Sequence, residues 1–228
     1  MKKIIRVLLL AFFPSYVFSA EIMLTGTIPG MGNYTKNIQS IQERKFEYIV
    51  TQQTDFSCGA ASLASILKYA YGEQDISEKD VLLGMLQVSD SEIVQQQGFS
   101  LLDMKRYLNS RQMRGRGYRV GIKELKQLKV PAIVLLNDNG YNHFVVMRRF
   151  ANNQVYLGDP ALGNRILSYD EFANKWNGIV FIVIGSEYQK QNPLLSPRER
   201  LTYNRLHPME PLSDAELIEF GFSYADML

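Results

Sequence analysis

One cysteine, Cys58, stands in the stretch QQTDFSCGAAS, between a polar run and a string of small helix formers. A thiol becomes a useful nucleophile when its thiolate is stabilised, and a helix N-terminus does this through its positive dipole end and free N–H groups. From Cys58 the run CGAASLASILKYAYG places Ala61, Ser65 and Lys68 on one side and Leu63, Ile66, Leu67 and Ala70 on the other, with Gly72 as a C-cap. The spacing therefore predicts a helix that begins at the cysteine. A buried structural cysteine fits the same position, so this feature alone does not decide between the two roles.

A thiol enzyme also needs a base, a group that orients the base, and donors for the developing oxyanion. The chain has two histidines. His143 opens the strand HFVVMRRF directly after the turn NDNGYN, whereas His207 lies in the Pro-rich LHPME and reads as a surface residue. Asp159 closes the next strand, QVYLGD, and a tight ANN turn between the two strands would bring His143 and Asp159 together; the plainer role for Asp159 is to cap the turn with Pro160. Gln52, six residues before the cysteine, has a side-chain amide suited to an oxyanion hole, with Gln53 as its competitor, since strand parity would point the two to opposite sides. Gly59, beside the cysteine, and Phe144, beside the histidine, are the expected substrate contacts.

Several elements must hold these residues in place. Residues 21–45 read as an irregular lead punctuated by Gly26, Pro29, Gly30, Gly32 and Asn33, and KFEYIV (Lys45 to Val50) alternates well enough for a short strand. After the cysteine helix, Ser77 with Asp80, Ser89 with Glu92 and Ser100 with Asp103 mark three helix starts, and IKELKQL (Ile122 to Leu128) is a further short helix. Past Pro131 come AIVLLN, HFVVMRRF, QVYLGDP and GIVFIVIG, β-branched and aromatic strands whose short connections imply antiparallel pairing. SYDEFANKW, capped by Ser168 and Glu171, is a helical turn between the last two. Helices first and sheet second makes the class α+β, with one domain over residues 46–185. Residues 186–228 form a tail broken by Pro193, Pro197, Pro208 and Pro211. From Pro208 onward it carries five acids and no base, against nine bases and two acids between Asp103 and Lys129.

The motifs QQTDFSCGAAS, NHFVVM and GDPALGNRILSYDEFANKWNG together resemble the bacteriocin-processing, double-glycine leader peptidases, cysteine peptidases of papain-like fold. The resemblance spans roughly Tyr48 to Gly185. It implies Cys58 as nucleophile, His143 as general base and acid, Asp159 as the orienting carboxylate and Gln52 as the oxyanion residue. The sequence departs from the family in two ways: Ser57 stands where many members have an acid, and the chain is free of the transporter to which the best-known members are fused. It is most similar to free-standing, exported members that serve functional-amyloid export, which implies an amyloid subunit or export component as the peptide or protein partner. A non-cleaving peptide-binding or chaperone module of the same fold is one alternative. A cell-wall amidase or acyltransferase is another, although enzymes of that kind often use a second histidine as their third residue, and the spare one here is His207.

The remaining composition mostly excludes. MKKIIRVLLLAFFPSYVFSA has three bases, an apolar run and small residues at Ser19 and Ala20, the layout of a cleaved signal peptide over residues 1–20, so the expected location is the periplasm. Without Lys2, Lys3 and Arg6 the formal charge of +2 becomes −1, which gives no reason to expect nucleic acid or an anionic membrane as partner. A single cysteine forms no internal disulfide, so in an oxidising compartment the thiol is either buried or used. One cysteine and two histidines without ligand spacing call for no metal, and no phosphate-binding glycine loop calls for a nucleotide cofactor.

Overall fold

The computed structural model describes residues 21–24, 34–37, 40–54, 56–138 and 140–197. Short strands β1 (Glu21–Leu24) and β2 (Tyr34–Asn37) pair with each other, and helix α1 (Ile41–Lys45) follows. The lead is therefore not irregular throughout; the glycines and proline that break its pattern all lie between the two strands. The signal segment and His207 lie outside the described residues.

Helix α2 (Cys58–Ala70) is the centre of the domain, and all of it except Lys68 and Tyr69 is buried. The sequence suggests a two-sided helix, yet both sides are covered, because Gly, Ala and Ser leave neighbours room to approach. Two of its serines also meet polar backbone. Ser62 donates to the Phe144 carbonyl (3.1 Å), and Ser65 donates to the Ala61 carbonyl while accepting from the Val50 N–H (2.9 Å). That last bond corrects the strand expected at Lys45 to Val50: the segment turns through Tyr48 at φ 60° and lies on α2 with no strand partner.

Helices α3 (Glu78–Leu86), α4 (Ser91–Gln97) and α5 (Leu101–Ser110) follow, and the expected capping boxes at Ser77 and Ser100 are present. Helix α4 is capped by Asp90 instead of Ser89, whose hydroxyl donates to the Met85 carbonyl at the end of α3. Strand β3 (Arg114–Arg119) and helix α6 (Ile122–Gln127) come next, then β4 (Ala132–Asp138), β5 (Tyr141–Ala151), β6 (Gln154–Asp159), β7 (Gly163–Ser168), α7 (Tyr169–Lys175) and β8 (Trp176–Ile184). The six-stranded sheet runs β3-β8-β4-β5-β6-β7, antiparallel throughout. The architecture is the α+β arrangement expected.

Strand β5 runs as HFVVM because both faces of the sheet are covered. Phe144 and Val146 join the core beneath α2 with Leu63, Ile66, Met104 and Phe181. Val145 and Met147 join the opposite core, under Leu125 of α6 and Phe172 of α7. Asn152 and Asn153, at φ 52° and 58°, make the tight turn into β6. After β8 the chain stays packed for a while: a 3-10 turn at Pro193–Leu195 buries Leu194 completely, so the region read as a tail begins as part of the core.

Candidate active site

Cys58 is the first residue of α2 and is 8% exposed. The preceding Ser57 supplies no side-chain cap to the helix, because its hydroxyl donates to the Thr54 carbonyl (2.7 Å). The positive end of α2 is therefore left for the thiol. The β5–β6 hairpin does what the spacing predicts. His143 Nε2 meets Asp159 Oδ1 at 2.8 Å, with His143 7% exposed and Asp159 fully buried. Oδ1 also accepts from the N–H groups of Ala161 (2.9 Å) and Leu162 (3.0 Å), so Asp159 caps its turn and orients the histidine at once.

The other ring nitrogen, Nδ1, is buried and makes no hydrogen bond of standard geometry. Cys58 is nevertheless close enough to bear on the charge of the ring. Free enzymes commonly hold such pairs loosely and tighten them around substrate. Burial opposes charge on His143, yet hydrogen bonding to Asp159 and to Cys58, with the negative charge of both, lifts its pKa to about 9. Burial likewise opposes charge on Asp159, but His143 and the two turn N–H groups hold its carboxyl below the ordinary value. The pair is thus imidazolium and carboxylate at neutral pH.

The main chain of Gln52 joins this group: its N–H donates to the Pro160 carbonyl (3.0 Å), next to Asp159. Gln52 is half-buried, whereas Gln53 is exposed, its side chain donating to Thr51 and its N–H to the buried carboxylate of Glu78 (2.8 Å). Of the two candidates, Gln52 is the one turned inward. Gly59 and Phe144, the expected substrate contacts, are both buried. A Cβ at Gly59 would come within 2.6 Å of the Met104 methyl and 3.3 Å of the Phe144 ring, and Phe144 is 7% exposed. Both help to seat α2 against β5.

Two neighbours escape the sequence reading. Tyr141 stacks on the His143 ring, centroids 6.0 Å apart, and two-residue spacing on one strand was the available signal. Arg165 Nη1 donates to Asp159 Oδ2 at 3.1 Å, and no sequence pattern announces it. Among the described residues no group of His, Cys, Asp and Glu could hold a metal ion.

Residues 46–187 match the Peptidase C39 family. The chain is 56% identical over 200 residues to the probable functional amyloid protease FapD of Pseudomonas aeruginosa, covering 87% of this chain and 88% of that one. It is 49% identical to the probable functional amyloid protease FapD of Pseudomonas fluorescens, over 96% of both chains. Among solved structures it resembles a double glycine motif protease from an AMS/PCAT transporter in complex with the leader peptide. That similarity has 28% identity and a TM-score of 0.51, covering 60% of this chain and 91% of that one. The peptidase domain of Streptococcus ComA, at 23% identity and a TM-score of 0.51 over 61% of this chain and all of that one, shares the fold.

Proposed function

The chain belongs to the Peptidase C39 family and is a cysteine peptidase, and from that premise we propose that it is an exported endopeptidase that cuts a peptide after a Gly-Gly pair in a functional-amyloid secretion pathway. The observation that carries the mechanism is the 2.8 Å pairing of His143 with Asp159 beside a cysteine at a helix N-terminus. With His143 protonated at neutral pH, its Nδ1 proton stabilises the negative charge that Cys58 needs as a nucleophile. The sulfur attacks the scissile carbonyl carbon, and the oxyanion forms between the Gln52 side-chain amide and the Cys58 N–H. As the C–N bond breaks, His143 Nδ1 gives its proton to the leaving amine. Water then attacks the thioester, His143 takes the water's proton, and Cys58 leaves as thiolate with the peptide acid released.

The pathway is supported by the similarity to the two Pseudomonas functional amyloid proteases, and the cleavage rule by the double glycine protease to which the fold is similar. The opening segment of charged, apolar and small residues supports export to the periplasm. The test is to incubate the chain without residues 1–20 with a synthetic peptide carrying an internal Gly-Gly, and with its Ala-Ala counterpart, and read the products by mass spectrometry. Cleavage after the second glycine, absent with Ala-Ala and absent in Cys58→Ala, is expected. Cleavage that persists in Cys58→Ala, or that ignores the glycines, contradicts the proposal.

A further inference from the structure

The buried Asp159 carboxylate serves partners of two kinds. Its Oδ1 belongs to His143 and the turn N–H groups, whereas its Oδ2 accepts from Arg165 Nη1 at 3.1 Å. Arg165 lies on β7 opposite Leu157 of β6, and its side chain is only 21% exposed. Its other arm, Nη2, reaches Asp138 Oδ2 at 4.0 Å, and Asp138 is held from the opposite side by Lys175 Nζ at 2.8 Å. Asp138 ends β4, immediately before the turn that leads to Tyr141 and His143. One guanidinium therefore bridges the end of β6, where Asp159 stands, and the head of the hairpin that carries the histidine.

We propose that Arg165 is a positioning residue of the peptidase site, acting through Asp159 by occupying the carboxylate oxygen that His143 does not use. The inference rests on the pairing of Cys58, His143 and Asp159 described above. The groups around the imidazole are Asp159 from β6, Cys58 from α2 and Tyr141 from its own strand. Arg165 from β7, Asp138 from β4 and Lys175 from α7 stand behind Asp159. If Asp159 had His143 as its sole cationic partner, its charge would hold the ring's proton more firmly. Sharing that charge with Arg165 leaves His143 able to release the proton to the leaving amine. The carboxylate keeps its orientation without Arg165, because Oδ1 remains fixed by two backbone N–H groups.

A ring titration of His143 by NMR separates this role from a merely structural one, since the chain has just one other histidine and His143→Ala identifies the signal. Arg165→Met should raise the His143 midpoint above its value of about 9, by on the order of one unit. Arg165→Gln, which keeps a donor on Oδ2 without the charge and guards against misfolding, should shift it the same way. Arg165→Lys should restore the wild-type midpoint. A structural role predicts the opposite sign, because a loosened Asp159 lets the ring fall toward 6.5. A lowered or unchanged midpoint in the folded Arg165→Gln protein overturns the proposal. Asp159→Asn is the control: it should lower the midpoint, and if it does not, the underlying pairing of His143 and Asp159 fails as well.

Discussion

Strand β5 carries two buried basic side chains five residues apart, His143 and Arg148, and the fold treats them in opposite ways. His143 is matched by a carboxylate and its pKa is lifted to about 9. Arg148, 3% exposed, is desolvated without a direct acid partner and its pKa is lowered to about 10. Its three nitrogens donate to neutral acceptors: Nε to the Leu194 carbonyl (3.0 Å), Nη1 to Asn164 (2.6 Å) and Nη2 to the Pro193 carbonyl (2.8 Å). Asn164 passes the tie on to the Glu47 carbonyl (2.9 Å). Arg148 thus staples the C-terminal 3-10 turn and the segment before α2 to the sheet, and every donor nitrogen is used up in doing so. At His143 one ring nitrogen is left uncommitted beside a thiol. A buried basic group with all its bonds made serves the structure, and one with an uncommitted atom facing a nucleophile is available for chemistry.

Asp159→Asn breaks the charge-matched side and should have the largest effect. The amide cannot stabilise the imidazolium and favours the wrong tautomer, so turnover should fall on the order of 10³-fold or more while the fold survives. The His143 midpoint should drop from about 9 toward 6.5. Peptide cleavage rates together with circular dichroism check both parts. Arg148→Met breaks the neutral side and should act on stability instead. Buried acceptors left without donors cost about 1–3 kcal/mol, read as a lower denaturant midpoint, with the pH dependence of Cys58 labelling unchanged. A change in that pH profile would join the two regions that the comparison separates. Gly59→Ala sharpens the comparison with the smallest effect. The added methyl presses on Met104 and Phe144 between α2 and β5, at a cost of about 1 kcal/mol because the nearest atom is the flexible end of Met104. Because Phe144 adjoins His143, labelling of Cys58 should slow slightly.

The pKa shifts also fix how pH acts on stability. The folded-state value for His143 is raised, so its contribution is complete below about 6.5 and is lost as pH climbs through about 9. The value for Asp159 is lowered, so its contribution is present above 3.8 and is lost as pH falls below that. The site therefore favours the folded state most between these limits.

The chemistry was more legible in the sequence than the packing around it. The cysteine at a helix start, the histidine and aspartate at the two ends of a tight hairpin, and the capping boxes at Ser77, Ser100 and Ser168 follow from local rules, and the structure keeps them. Strand β3 was hidden because an edge strand of alternating Arg and Gly, with five of six residues exposed, offers no apolar period. Gly115 in that strand is small for a tertiary reason, since a Cβ there would strike the Phe181 ring. Gly59 and Phe144 likewise have a packing role that their places beside Cys58 and His143 do not reveal, since it depends on neighbours across the core. Arg165 escaped because its meaning depends on which strand pairs with β6, and no local pattern encodes that.

The central claim is that His143 activates Cys58 as a nucleophile, and the most direct test is the rate of Cys58 alkylation by iodoacetamide at neutral pH, in the wild-type chain and in His143→Ala. The account predicts ready labelling of the wild-type thiol and a markedly slower reaction once the imidazole is removed. The same rate in both proteins, or no labelling of the folded chain, would contradict it.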